Sequence, residues 1–424
     1  MFKSKQNIYF SILIILIIFT FSSNIAWLNP FPEWSVYRSF ESIPFLWQYG
    51  IDNPLELASA AYFPDFYLEN PTRLERPGYP LLVNLLARAI YFIFGNIFEF
   101  NYIYYSAASY IIVKILFSIL SIFCLYSLLH KFFDENYTRL GLVLYFFQWS
   151  YITYFCDIHT TDTHLNSPII IIYLFNKLYI NKSILFNFFA GLCIGYLILI
   201  KSNYAIYLSL LLLLLFYNKY LIFIINFLSH LIPFLLYYLF LLYKDIPIYL
   251  HNEGQGGGDM IVFAIEHIIN GSYILLLNHL INSIFTFLIV IIKYYHFFLI
   301  LFFIGIYYFY KIFKKEYKIL SIITIVFFFS WLQFFLSLKF ENDIYMAGDL
   351  AFLIYFFVIY YFKSIKLIER ISIRPFYIYF FILIINLFII LELPYMSPYS
   401  QKFINWKSVF EVKSNQYNAI KNIN

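Results

Sequence analysis

The sequence predicts an all-α polytopic membrane protein, a single integral membrane domain over 1–424 with about 11 transmembrane helices and external juxtamembrane helices. Three observations predict it. Of the 424 residues, 62% are hydrophobic and only 12% charged, against about 25% charged in soluble domains. Several apolar runs reach the roughly 20 residues needed to cross a bilayer. Runs such as SILIILIIFTF show no alternation, and lipid leaves only helices or a closed barrel, so the spans are helical. The 43 Tyr and 54 Phe come with abundant Ile, Asn and Lys, so the aromatic content reads as composition rather than as a binding platform. Cys124, Cys156 and Cys193 sit in apolar segments without metal-type spacing and read as buried, inert thiols.

The first element is Ile8–Trp27, behind MFKSK. SSNIAWLNP is a poor cleavage site, so the run is a retained span. Lys3 and Lys5 put the N-terminus in the cytoplasm, with the bacterial inner (plasma) membrane as the expected location. Residues 29–78 are then external; they carry Glu33, Glu41, Asp52, Glu56, Asp65, Glu69 and Glu75 and no lysine.

The next element is TRLERPGYPLLVNLLARAIYFIFG, residues 72–95. Asn84 and Arg88 share one face of a helix opened by Pro80. A span would bury Arg88 at a cost of about 2.5–3.5 kcal/mol, so the segment is expected to lie flat, its polar stripe facing water. Residues 29–103 thus form an external loop with juxtamembrane helices.

The remaining spans are read at 104–129, 138–156, 166–180, 184–200, 203–218, 220–243, 296–311, 318–338, 349–365 and 375–392. This parity puts KIFKKEYK and KLIERISIR in the cytoplasm. Residues 244–295 are an external loop with a surface helix at IVFAIEHIIN, and 394–424 an external tail. INSIFTFLIVII is either a continuation of that helix or a span; a span would move KIFKKEYK outside.

Four loops gather on the external face: 29–78, CDIHTTDTHLN, KDIPIYLHNEGQGGGDM and KFENDIYMAGD. A first span, a long acidic external loop and then RPGYPLL opening an apolar helix resembles the GT-C superfamily of membrane glycosyltransferases. The likeness is to its protein O-mannosyltransferase-like and lipid-A aminoarabinose transferase-like branches. HTTDTHLNSPIIIIYLF is similar to the second acidic loop of that family, and FNFFAGLCIGYLILIKSNYAIYLSLLLLLLF to its Gly-containing helix ending at a basic residue. The resemblance covers roughly the first half of the chain. In place of the usual acidic pair after the first span stands a lone Glu33 in FPEWSVYRSFE, with Glu41 one to two turns on.

The resemblance implies transfer of a sugar from a polyprenyl-phosphate donor to a lipid, glycan or protein acceptor at the external face, among membrane lipids and without nucleic acid. Inverting transfer needs a carboxylate to take the acceptor proton and cations to hold the leaving phosphate. Glu33, where the first span leaves the membrane, is the candidate base. Asp162 is the second catalytic candidate, orienting the acceptor or supporting a metal; as a plain structural residue it would cap the following helix. Arg76 and Lys201 are the candidates for the donor phosphate, against a loop ion pair for Arg76 and snorkelling to the interface for Lys201. Lys114 lies inside a span with no acid one turn away. No cofactor is required; a divalent metal at His159, Asp162 and His164 is left open, with no fourth ligand in reach of the sequence. GQGGGD lacks the Gly-Lys-Ser/Thr of a nucleotide loop and reads as a linker. The alternatives are an O-antigen polymerase or ligase-like protein, which would concentrate arginines in later loops, a transporter, which would show an internal repeat, and an inactive GT-C-fold protein.

Overall fold

A computed structural model describes residues 9–18, 57, 59–64, 77–97, 102–148, 151, 155, 163–180, 183–200, 211, 214–215, 218–245, 264–312 and 343–370. The longer helices among them are α1 (Tyr9–Ile18), α2 (Gly78–Phe94), α3 (Tyr102–Leu129), α4 (Glu135–Phe146), α5 (Thr163–Ile180), α6 (Ile184–Ile200), α7 (Tyr220–Tyr243), α8 (Tyr273–Ile312) and α9 (Asp343–Ser364); a shorter one covers 264–269. No strand occurs among the described residues. Among the described residues two helices are long and apolar enough to cross a membrane, α3 over Tyr105–Leu129 and α7 over Tyr220–Tyr243; the other apolar helices there are shorter. The expected spans 203–218, 318–338 and 375–392 fall wholly or mostly outside the described residues.

Polarity in α7 is inverted relative to a helix in water. The buried residues of α7 are Asn226, Ser229, His230 and Leu241, while Leu221, Ile224, Leu228, Leu235 and Leu242 are exposed. A water-facing helix does the opposite. The polar stripe instead packs against α6, with Asn226, Ser229 and His230 bonded to carbonyls of their own helix, and small residues let the backbones close in, as in helix pairs within lipid. Gly191 lies against Ser229 and Asn226, and Gly195 against the His230 carbonyl. Cys193, between these glycines, is exposed on the other face, which corrects the expectation of a buried thiol; Cys124 is buried.

The molecule has one basic end. Asp134 caps α4 by accepting from the backbone N–H of Asn136 (3.0 Å) and Tyr137 (3.2 Å), and Glu135 pairs with Arg139 at 3.2 Å. The Lys363 ammonium donates to the Phe132 carbonyl (2.6 Å), the Tyr137 hydroxyl donates to the Phe362 carbonyl (3.3 Å), and Lys131 donates to Asn176 (3.0 Å). Arg139 lies 5.7 Å from the Phe10 ring. The start of α1, the α3–α4 turn and the ends of α5 and α9 therefore meet at one end, carrying Lys131, Arg139, Lys177, Lys363 and Lys366. Burial and the neighbouring Lys177 hold the Lys131 ammonium below its ordinary pKa.

Contacts fix the relative directions. Asn226–Ser229 and His230 meet Gly191 and Gly195 in the same order, so α6 and α7 run parallel. So do α8 and α9, with Phe298 on Tyr355 and Phe309 on Tyr360 and Gly305 on the Phe357 carbonyl. Parallel neighbours in sequence require the chain to return between them; the sequence assigns those returns to 203–218 and 318–338.

Three expectations change. First, α2 turns only part of its polar stripe outward. Asn84 is buried and donates to the Ala60 (2.8 Å) and Ala61 (3.3 Å) carbonyls, while Arg88 is exposed and donates to the Phe63 carbonyl at 3.2 Å. The outward residues also include Leu85, Tyr91, Phe92, Ile93 and Phe94. The helix pairs lengthwise with α3, antiparallel: Tyr79 meets Tyr110 and Phe117 at one end, Tyr91 meets Tyr102 and Tyr105 at the other. The polar pair exists because the 59–64 segment offers carbonyls that need donors. Asn84→Leu should therefore destabilise the protein by about 1–3 kcal/mol, since two buried carbonyls lose their donor. Arg88→Met, at an exposed position, should cost less than about 1 kcal/mol; denaturant titration of both variants checks the difference.

Second, the helix expected over 138–156 stops at Phe146, where the Phe147 N–H turns back to Val143. Its 12 residues reach about 18 Å, short of a bilayer core of about 30 Å. Third, INSIFTFLIVII is helical and continuous with the expected span 296–311, interrupted only at Tyr295 (φ −126°, ψ 15°). The helix before it closes at Gly271 (φ +66°) in a Schellman turn, Ser272 N–H to His267 O and Gly271 N–H to Ile268 O, and glycine tolerates that left-handed conformation.

Candidate functional site

Because α4 stops short, a polar cluster forms midway along α3. On α3, Tyr110, Lys114, Phe117 and Ser118 share one face by helical spacing. Tyr79, at the start of α2, covers Tyr110 and Phe117. Beyond them the Tyr151 hydroxyl lies 2.6 Å from Ser118 Oγ and 2.7 Å from Asn166 Oδ1. A phenol has one proton and an amide oxygen only accepts, so Ser118 donates to Tyr151 and Tyr151 to Asn166. The Tyr145 hydroxyl closes the junction by donating to the Leu165 carbonyl at 2.6 Å. Lys114 is 1% exposed, Gln148 3%, and Ser118, Ser121, Thr163, Asn166 and Ser167 are wholly buried.

Hydrogen bonding at this junction is incomplete. Gln148 Nε2, Asn166 Nδ2, Ser121 Oγ and Ser167 Oγ are buried without a partner. Each orphaned group costs about 1–3 kcal/mol relative to a satisfied one. The two amide nitrogens are donors only, and the hydroxyls add two more protons. Asn166 stands at the end of the first turn of the 18-residue α5 and Ser167 directly after it; the backbone N–H groups of that turn carry the positive end of the helix dipole.

A second junction joins the start of α2 to the end of α6. The Tyr196 hydroxyl donates to the Gly78 carbonyl at 2.6 Å. A Cβ on Gly78 would lie 2.8 Å from the Ile200 nitrogen and 2.9 Å from the Leu199 carbonyl carbon, so the two backbones touch because residue 78 has no side chain.

Glu33, Arg76, Asp162 and Lys201 themselves lie outside the described residues, as do His159, the GQGGGD run and the external tail 394–424. Their sequence neighbours are described. Asp162 directly precedes Thr163, the first residue of α5; Lys201 directly follows Ile200, the last of α6; Arg76 is two residues before Gly78. Among the described residues no group of His, Cys, Asp and Glu could hold a metal ion. The central cluster was not foreseen from sequence beyond Lys114. Its signal is the crowding of Gln148, Tyr151, Asn166 and Ser167 around a loop whose flanks read as apolar spans. Comparisons with protein-family models, with curated proteins and with solved structures return no match.

Proposed function

We propose that this chain is a polytopic membrane glycosyltransferase of GT-C type, moving a sugar from a polyprenyl-phosphate donor to a lipid, glycan or protein acceptor at the external face. About eleven spans cross the membrane in this reading, and the basic end is cytoplasmic. The inverted polarity of α7 and the common direction of the basic loops support the membrane placement.

The observation that carries the functional reading is the contact of Gly78 with Ile200. Consecutive Cα atoms are about 3.8 Å apart, so covalent reach alone keeps Arg76 and Lys201 near that contact, at the end of α6 away from the basic loops. Two cations from distant parts of the chain would then share one neighbourhood, which is what a leaving lipid phosphate requires. Asp162, which directly precedes Thr163 at the start of α5, would stand over the neighbouring polar cluster. Glu33 supplies the base by resemblance, from the loop that follows the first span. A metal enters only as a support for Asp162 and no step requires it.

A deletion strain tests the reading. It should accumulate a polyprenyl-phosphate sugar and lack one glycan-modified product, and both changes should reverse on complementation. Complementation with Arg76→Gln or Lys201→Gln should restore less product, by about 10-fold or more for a lost charged hydrogen bond worth 1.5–3 kcal/mol. Unchanged lipid-linked sugars and glycans in the deletion strain would overturn the assignment.

A further inference from the structure

At the basic end two ammonium groups are held side by side. Lys131, in the turn that follows α3, is exposed and donates to Asn176 Oδ1 at 3.0 Å. Lys177 is the next residue on α5, its ammonium 5.5 Å from the Tyr173 ring centroid. The two charges are close enough that Lys177 helps to hold the Lys131 ammonium below its ordinary pKa. The carboxylates described at this end are engaged elsewhere. Glu135 pairs with Arg139 at 3.2 Å and accepts from the Tyr126 hydroxyl at 2.9 Å, and Asp134 accepts from the backbone N–H groups that open α4. Asn176 takes one of the three N–H donors of the Lys131 ammonium. Directly below the two lysines lies an apolar track. Phe123 of α3 meets Tyr173 of α5 edge to face at 5.9 Å, so the helices touch just beneath the charges. From Phe123, helical spacing continues one face of α3 through Leu120, Ile119, Leu116 and Ile112, and these four side chains are exposed.

We propose that Lys131 and Lys177 bind the headgroup phosphate of an anionic phospholipid of the cytoplasmic leaflet, whose acyl chain lies along the Leu120–Ile112 face of α3. A phosphate diester offers an acceptor oxygen to each ammonium, and its negative charge relieves their mutual repulsion. Basic residues at a helix end on the cytoplasmic side are where anionic headgroups collect. Here the charges sit at the right height, because Lys131 lies two residues past the end of the apolar span Tyr105–Leu129. An exposed apolar face below a pair of cations matches the two halves of such a lipid. The inference rests on the membrane placement proposed above and requires no sugar transfer, so it stands or falls separately from the enzymatic reading.

The test is thermal unfolding of the full-length protein in uncharged detergent, titrated with phosphatidylglycerol, with phosphatidylcholine of the same acyl chains, or with glycerol 3-phosphate. Phosphatidylglycerol should raise the unfolding midpoint, and the zwitterionic lipid and the soluble phosphate should not. Lys131→Gln and Lys177→Gln should each weaken phosphatidylglycerol binding by about 5-fold, and together by about 25-fold. Without lipid, Lys177→Gln should leave the midpoint equal to or above wild type, since it removes a repulsion; a residue needed only for structure would lower it. Lys131→Arg keeps the charge and should keep the binding. Lys366→Gln removes an exposed charge at the same end but outside the pair, and it should weaken binding less than either single variant. No shift with phosphatidylglycerol, equal shifts with the two lipids, the same shift from glycerol 3-phosphate, or equal losses in Lys366→Gln and Lys131→Gln would overturn the proposal.

Discussion

Replacing Gly195 by leucine should unfold the α6–α7 pair. At Gly195 a Cβ would run into the backbone carbonyl of His230, and at Gly191 into Ser229 and the Asn226 carbonyl. A backbone obstacle cannot rotate aside as a side chain tip can. Relief comes only by separating the helices, which then lose the whole stripe of Asn226, Ser229 and His230 on which α7 packs. Overpacking of a core costs about 1–3 kcal/mol and sometimes more, and the upper end applies where backbone is struck. Alanine at the same position should already lower the unfolding midpoint, with leucine worse. Cys193→Leu is the internal control: it sits between the two glycines on the exposed face and should change stability by less than about 0.5 kcal/mol. Thermal unfolding of purified protein in detergent ranks the three. Equal behaviour of Gly195→Leu and Cys193→Leu would mean that the helix pair is not held by these glycines.

Glu33→Gln should abolish glycan transfer while leaving synthesis and membrane insertion intact. Glutamine keeps the size of glutamate and its capacity to accept a hydrogen bond, but it cannot take the proton from an acceptor hydroxyl. A positioned general base contributes about 100- to 10,000-fold, so transfer should fall by at least about 100-fold. Because no second carboxylate is adjacent to Glu33 in FPEWSVYRSFE, with Glu41 the next acid on, Glu41→Gln serves as the comparison and should retain more activity. Asp162→Asn separates the two catalytic candidates: it should weaken acceptor use without erasing all product. The readout is the glycan and lipid-linked sugar profile of complemented deletion cells. Normal product from Glu33→Gln would remove the base assignment, and loss of protein from the membrane would show a structural role instead.

Much of the fold is legible where hydropathy alone decides. The spans read at 184–200 and 220–243 coincide with α6 and α7, and 104–129 with α3 to within two residues, because long apolar runs bounded by lysines or turn residues admit little else. The failures share a cause. The run 138–156 is apolar enough for a full span, yet its Tyr151 has partners 33 and 15 positions away, Ser118 in α3 and Asn166 in α5, which periodicity cannot see. Asn84 is buried against the expectation because its partners are the backbone carbonyls of residues 60 and 61, and a carbonyl has no letter in the sequence. The helix around Tyr295 was divided because counting INSIFTFLIVII as a span would have moved KIFKKEYK outside. Of the candidate site, Glu33, Arg76, Asp162 and Lys201 lie outside the described residues; what the structure shows is the contact of Gly78 with Ile200, through a glycine whose role lies in lacking a side chain, while the polar junction at Tyr151 depends on hydrogen bonds between distant parts of the chain.

The ties that close the basic end set a timetable for assembly. Tyr137 and Phe132 are joined to Phe362 and Lys363 across 225 and 231 positions of chain. At about 5–20 residues per second of synthesis, α4 emerges on the order of ten to fifty seconds before its partner on α9 exists. Throughout that interval its packing surface toward α9 must be shielded by lipid or by an insertion factor. Chains truncated before residue 343 would never acquire that partner, so quality control in the membrane would meet them with one face of α4 still open.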